Sequence, residues 1–333
     1  MTPMKQASLG LSTSTKRTRK AVFLSEMERV VPWAELVELV TPYAPEGRRG
    51  RPPFSVQTML RIHFMQQWFT LSDPAMEEAL HDTPLLREFA GLSGWNERLP
   101  DESTIQRFRH LLERHKLAEQ ILQTVNDLLR RQGLLLEAGT VVDATLIAAP
   151  SSTKNASGER DPQMHPSKKG NQWCFGMKAH IGVDADSGLV HTVRGTAGNV
   201  NDVVEANALL HGEEADVFGD AGYQGADKRT DARPEVRWSV AMRPGKRKVL
   251  DKSRALGQLI DQLEKVKARI RAKVEHPFRV IKCQFGHVKV RYRGLKKNTA
   301  QVVTLFALSN LWMVRKKLDV LDGQIRPQMA RAG

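Results

Sequence analysis

Thr140-Val141-Val142-Asp143-Ala144-Thr145-Leu146-Ile147 is apolar and rich in β-branched side chains, with one carboxylate in its middle. Such a run reads as a buried strand. A carboxylate inside it is costly unless it is paired or holds a cation. Downstream, Trp173 to Val183, the turn Asp184-Ala185-Asp186-Ser187-Gly188 and Leu189 to Thr196 read as a hairpin. Asn201-Asp202 caps a helix through Leu210, and Asp216-Val217-Phe218 is a short strand ending at Gly219-Asp220-Ala221-Gly222-Tyr223. Val236 to Ala241 is a further strand, a long basic helix begins near Lys252 and carries Glu275, and an apolar helix closes the series over Thr299–Lys317.

Three leading strands followed by α/β alternation pack most economically as one mixed sheet with flanking helices. The first strand then lies centrally, beside the strand that ends at Asp220, so Asp143 and Asp220 become neighbours. Adjacent carboxylates repel each other, and a divalent cation removes that repulsion together with the burial cost. Gly222 and Gly225 let backbone approach a ligand. The segment 151–172, rich in Ser, Lys and Gly, reads as an irregular excursion.

Arg271, Glu275 and Lys282 recur at spacings that put them on nearly one helix face. One reading is a metal-plus-phosphate site, with Glu275 on the cation and the two bases on phosphate oxygens. The other is a surface ion pair between Arg271 and Glu275. Pro277 breaks or kinks this helix just after Glu275.

Residues 22–137 read as mostly helical. Phe23, Met27, Val30 and Val31 have helical spacing, as do Met59, Ile62, His63, Gln66 and Phe69, with further helices from Pro74 to Leu80 and Ser103 to His115. In the last of these, Ser103 and Gln106 match a capping box. Ile105, Phe108, Leu111 and Leu112 face a core, leaving Gln106, Arg107 and Arg109 outward, either as a groove-reading face or as the polar side of a bundle helix. Arg49 and Arg51, within Arg48-Arg49-Gly50-Arg51-Pro52-Pro53, suit a minor-groove hook or a basic loop before a helix. Lys16 to Lys20 form a second basic cluster on a tail.

The chain has 333 residues, 51 Lys+Arg against 37 Asp+Glu, and a formal charge of +14. The charge is segregated: +1 over residues 1–137, −6 over 138–227, +16 over 228–297 and +3 over 298–333. A +16 band over 70 residues, including Lys246, Arg247 and Lys248, points to a polyanion, with a solubilising surface as the alternative. The two cysteines, Cys174 and Cys283, exclude a disulfide scaffold and a Cys-rich zinc site. The first twenty residues lack an apolar run, and Val302–Val314 is too short to span a bilayer, so a cytoplasmic, non-membrane protein is expected.

Val142-Asp143-Ala144-Thr145, Lys169-Gly170-Asn171-Gln172-Trp173 with Gly176-Met177-Lys178-Ala179-His180, Gly219 to Gly225 and Val274-Glu275-His276-Pro277-Phe278-Arg279 together resemble the DDE-type transposases of bacterial insertion sequences, most closely the insertion-sequence-five branch. The resemblance covers essentially the whole chain. It implies an RNase H-like catalytic domain over 138–320, an all-α DNA-binding domain over 21–137, and tails at 1–20 and 321–333. It maps the catalytic, metal-holding triad onto Asp143, Asp220 and Glu275. The family's Tyr-Arg-Glu-Lys signature falls on Arg271, Glu275 and Lys282, with Ala268 where the Tyr would be. It further implies Mg²⁺, with Mn²⁺ able to substitute, double-stranded DNA as substrate, and a homodimer on paired element ends. Metal-dependent cleavage and strand transfer are the expected reactions, with no covalent protein–DNA intermediate through Tyr223 or Tyr292. His180 and Lys178 are expected either to face the site or, for His180, to be structural. A DNA-binding protein that has lost catalysis and a general RNase H-like nuclease are the competing readings.

Overall fold

The computed structural model describes residues 17–47, 51–94, 97–155 and 157–329. Among the described residues, seven α-helices come first: α1 (Arg19–Val30), α2 (Trp33–Val40), α3 (Val56–Phe69), α4 (Asp73–Asp82), α5 (Pro84–Ala90), α6 (Glu102–Arg114) and α7 (Leu117–Arg131). Their starts are chemically marked. Thr18, Ser55, Ser72 and Asp101 each accept a hydrogen bond from a backbone N–H in the first turn of α1, α3, α4 and α6. The cap of α6 is therefore Asp101, whose Oδ1 accepts from the Thr104 N–H at 2.7 Å, and not Ser103 as the capping-box pattern suggests. A carboxylate is the stronger acceptor, and the Ser103 hydroxyl is drawn into the cap by donating to it.

The sheet follows: β1 (Gly139–Ala148), β2 (His165–Lys169), β3 (Gln172–Asp184), β4 (Val190–Ala197), β5 (Asp216–Gly219) and β6 (Arg237–Val240). Its path is β2-β3-β1-β5-β6, with β4 also on β3. β3 is antiparallel to β1, β2 and β4, whereas β1, β5 and β6 run parallel. This is the RNase H-like mixed sheet with β1 central. α8 (Asp202–Glu205) is a single turn, shorter than the helix expected to reach Leu210. α9 (Pro244–Lys248), α10 (Ala255–Arg271), α11 (Glu275–Arg279) and α12 (Leu295–Met329) complete the chain.

Three stretches differ from the sequence reading. The polar excursion contains β2, which extends the hairpin by pairing His165–Lys169 with Gln172–Gly176. Side chains of the excursion also grip the start of α12: Asp161 accepts from the Gly294 N–H and Gln163 from the Leu295 N–H. The strand pairs locally with β3 but lacks the apolar alternation that marks a strand, and the contacts to α12 come from partners more than 130 residues away. The last helix is longer than Thr299–Lys317, running past residue 320 to Met329. The long basic helix is interrupted before Glu275 rather than after it: α10 stops at Arg271, a 3₁₀ turn covers Ala272–Val274, and α11 restarts at Glu275. Pro277 lacks the N–H that would have bonded four residues back, yet it fits the first turn of a new helix. A π turn follows over Val280–Gln284.

One hydrophobic core joins both halves, because the buried length of α12 lies against α1, α3, α7, β3 and β4. Asn310 fastens that helix to the sheet, accepting from the Val190 N–H and donating to the Val190 carbonyl and to Asn126. Among the described residues, no helix is long and apolar enough to cross a membrane.

Candidate active site

β1 and β5 pair with Val141 beside Phe218. Continuing that register past Gly219 sets Asp220, just beyond the carboxyl end of β5, beside Asp143 in the middle of β1. Asp143 is half-buried, and its Oδ1 accepts from the Ala144 N–H at 2.7 Å. Asp220 caps the 3₁₀ turn Ala221–Tyr223, its Oδ1 accepting from the Gly222 N–H at 2.7 Å. A Cβ at residue 222 would sit 2.9 Å from that same oxygen, and one at 219 would press on the Tyr223 side chain. Glycine at both positions lets the chain turn this tightly around the carboxylate.

Glu275 arrives from the other side. Val274, Pro277 and Phe278 are buried and anchor the restart of the helix, leaving Glu275 exposed. Lys273 donates to the Ala185 carbonyl at 2.6 Å and ties this corner to the β3–β4 turn. Burial pushes the Asp143 carboxyl up to about 7; the negative charges of Asp220 and Glu275 add to the rise, while the Ala144 N–H and Arg271 oppose it. Side chains 77 and 132 residues away in sequence therefore act on one buried carboxyl.

Arg271, half-buried at the end of α10, is the cation of this group. Lys282 reaches β1 as well, donating to Thr145 Oγ1 at 2.5 Å and to the Leu146 carbonyl at 3.1 Å. Thr145 lies two residues from Asp143 and so on the same face of the strand. Arg271, Glu275 and Lys282 thus surround β1 despite the break between α10 and α11, which the uniform 3.6-residue projection did not include.

The residues expected on DNA are placed unevenly. Lys246 and Lys248 are exposed on α9, but Arg247 between them is half-buried and bonded to Asp261 at 3.0–3.1 Å. Gln106 and Arg107 are exposed on α6, with the Arg107 guanidinium folded back on Ser103. Arg109 does not face outward. It is 6% exposed, bridges Asp73 at 2.9 Å and Glu113 at 2.8 Å, and stacks its guanidinium over the Tyr292 ring at 4.1 Å. Two carboxylates and an aromatic face supply what an interior arginine needs, and none is adjacent to it in sequence. Arg51 is exposed in the loop before α3; Arg49 lies outside the described residues.

Two polar clusters lie apart from the three carboxylates: the first is built on His180 and Lys178, which the sequence singled out, and the second on residues that it did not. On β3, His180 pairs with Ala144 rather than Asp143, so its ring lies on the opposite face of the sheet. It is fully buried, bonded to Thr196 Oγ1 at 2.7 Å, and burial lowers it to about 4, which is a structural role. Lys178 beside it pairs with Asp202 at 2.8 Å. The second cluster is His191, His211 and Glu214, at the end of the strands opposite Asp143. Among the described residues it is the group of three whose metal-ligating atoms fall within 4.8 Å of one another. There Glu214 accepts from the His211 and Gly212 N–H groups and from Thr140. Tyr223 and Tyr292 are both held by burial above the ordinary phenol range.

The family model for the Transposase DDE domain matches residues 135–311, and that for the Transposase domain (DUF772) matches residues 12–111. Among solved structures, the chain is similar to a piggyBac transposase synaptic complex with hairpin DNA, determined by cryo-electron microscopy. That match has 12% identity and a TM-score of 0.43, and covers 92% of this chain and 78% of the other.

Proposed function

Since the chain belongs to the transposase DDE-domain family, we propose that it binds the ends of an insertion sequence and carries out metal-dependent DNA cleavage and strand transfer with Asp143, Asp220 and Glu275. Residues 21–137 serve DNA recognition and 138–320 catalysis. The observation that carries this reading is the β1/β5 register, which continues to Asp143 and Asp220, with Glu275 at the start of α11 near enough for its charge to act on Asp143. Three acids from the middle of one strand, the end of its neighbour and the start of a helix favour a cation between them.

The donor set is all oxygen, which suits Mg²⁺, with Mn²⁺ as a substitute, over softer metals. Asp143, Asp220 and Glu275 would hold these ions. When bound, such ions activate the attacking oxygen and stabilise the leaving oxygen of a phosphodiester. The protein's own contribution is positional. Asp220 is held by the Gly222 N–H, Glu275 by the anchored start of α11, and Arg271 offers a guanidinium to a non-bridging phosphate oxygen. Lys282, fixed on β1, holds positive charge beside the same backbone. Tyr223 is buried and takes no nucleophilic part.

The test is cleavage of a duplex carrying the element's end. Asp143→Asn, Asp220→Asn and Glu275→Gln should each abolish Mg²⁺-dependent nicking while gel retention of the duplex persists. Nicking at the wild-type rate by any of the three would refute the assignment. Retention by the wild-type protein without nicking under any divalent ion would favour a catalytically silent DNA binder. Equal cleavage of unrelated duplexes would favour a general nuclease.

A further inference from the structure

A second set of donor side chains lies at the other edge of the sheet. Thr140 near the start of β1, His191 near the start of β4 and Glu214 just before β5 meet at the amino-terminal ends of these strands, whereas Asp220 follows the carboxyl end of β5. The His191 ring reaches β1 by passing over Gly182 of β3. A Cβ at residue 182 would fall 2.7 Å from His191 Cε1 and 2.4 Å from the Leu209 carbonyl oxygen, so glycine there makes room for the ring. His191 Nε2 stands 3.0 Å from Thr140 Oγ1, which donates to Glu214 Oε1 at 3.1 Å. His211 closes the group from the loop that leads into β5. Its Nε2 lies 3.4 Å from Glu214 Oε1, and its ring is edge-on to that of His191 with centroids 4.9 Å apart.

Two features of this group point to a ligand. The Glu214 side chain is fully buried, and among the described residues its ion-pairing partner is His211, with no lysine or arginine beside it. The N–H groups of His211 and Gly212 and the Thr140 hydroxyl complete its surroundings. A buried carboxylate without a full positive charge nearby is expensive. His211 Nε2 is the second feature: it is buried, turned towards Glu214, and has no hydrogen-bond partner. A cation between the two rings and the carboxylate resolves both.

We infer that His191, His211 and Glu214 form a second metal site, separate from Asp143, Asp220 and Glu275, that takes Zn²⁺ as a structural ion. Their ligating atoms already lie within 4.8 Å of one another. Zinc bonds of about 2.0–2.1 Å in a tetrahedron set donors roughly 3.4 Å apart, the separation that the His211–Glu214 pair has, and small ring rotations bring in His191. Two imidazoles and one carboxylate select a borderline ion of this kind, in contrast to the all-oxygen set of the three acids. Thr192 Oγ1, 2.9 Å from His191 Nδ1, accepts the ring proton and leaves the Nε2 lone pair for the metal. His211 places its proton on Nδ1 and gives up a long, 3.3 Å hydrogen bond from the Glu213 N–H, a small loss beside a metal–nitrogen bond. The fourth position is left to water. The ion clips β1, β4 and the loop before β5, and so fixes where the strand that ends at Asp220 begins. The inference does not depend on the proposed function.

Titration of the full-length protein with Co²⁺ after stripping with EDTA tests this by visible absorption. The background carries Cys174→Ser and Cys283→Ser together with Asp143→Asn and Asp220→Asn, which removes the thiols and the other acidic site. It should take up one Co²⁺ per chain, with the intense visible bands of a tetrahedral ion, and Zn²⁺ should displace it. His211→Gln should lose the bands. His211→Cys should keep them and gain a thiolate-to-cobalt charge-transfer band in the near ultraviolet, which arises only when the sulfur is bonded to the ion. Thr192→Val should weaken Zn²⁺ binding by roughly 10–100-fold without abolishing it. Zn²⁺ should raise the melting temperature of the background protein and leave that of His211→Gln unchanged. A background protein that binds no Co²⁺, bands that survive in His211→Gln, or a His211→Cys protein without the charge-transfer band overturns the inference. Wild-type protein that nicks DNA while the background binds no Co²⁺ sinks the second site and leaves the proposed function standing; one that holds Zn²⁺ through His211 but cleaves no DNA does the opposite.

Discussion

Replacing Asp143 by Asn should stabilise the metal-free protein above neutral pH, although it removes the group most central to the proposed chemistry. In the folded chain the carboxyl is raised from 3.8 to about 7, chiefly by burial and then by Asp220 and Glu275. A raised carboxyl binds its proton more tightly folded than unfolded, so ionisation weakens the fold. The penalty is absent below pH 3.8, grows between 3.8 and 7, and is complete above. A displacement of about three pH units corresponds to about 4 kcal/mol at pH 8, and the partial exposure of the side chain lowers this to about 2–4 kcal/mol. Asparagine has a similar shape and no charge, so the variant escapes the penalty. The assay is urea unfolding in EDTA at pH 5 and pH 8, repeated with Mg²⁺. The expected result is a higher midpoint for Asp143→Asn at pH 8 in EDTA, a smaller gap at pH 5, and Mg²⁺ stabilisation of the wild type that the variant largely lacks. A variant no more stable than wild type at pH 8 would refute a raised Asp143 carboxyl in the folded chain.

Lys246→Glu/Lys248→Glu should weaken DNA binding on every sequence and flatten the salt dependence by about two units of log–log slope; a fluorescence-anisotropy salt titration checks this, and an unchanged slope removes α9 from the interface. Arg109→Ala should cost about 3–5 kcal/mol in stability, because Asp73 and Glu113 lose a buried partner. Chemical denaturation measures that loss, and full stability with altered end preference would restore Arg109 to the DNA-facing surface. Acid should destabilise the protein through His63, His180, His191 and His287, each lowered by burial to about 4. A histidine whose folded value lies below its unfolded one contributes stability above pH 6.5 that is lost as pH falls towards 4. The melting temperature should therefore drop steeply across that window, and a flat profile would contradict the burial of these rings.

Much of the candidate site was legible because it rests on local signals. A lone carboxylate in a β-branched run marked Asp143, a Gly-bracketed turn after a short strand marked Asp220, and alternating elements implied a mixed sheet with those two as neighbours. The groove-facing orientation of Arg109 was misread by the same logic. Helical periodicity assigns an arginine to the outside unless partners inside can neutralise it; Glu113 lies one turn on in the same helix, but Asp73 and Tyr292 come from distant places in the chain. Arg247 lost its freedom to Asp261 in the same way.

By itself the sequence determined most of the strands and helices, which carboxylates stand where burial is expensive, and where the positive charge concentrates, since each depends on residues a few positions apart. Tertiary structure alone decided which cations are neutralised internally and that the polar excursion contributes a strand. Those outcomes depend on which surface each segment packs against, because a side chain's environment is a property of the packed surface it meets as well as of its neighbours in the chain.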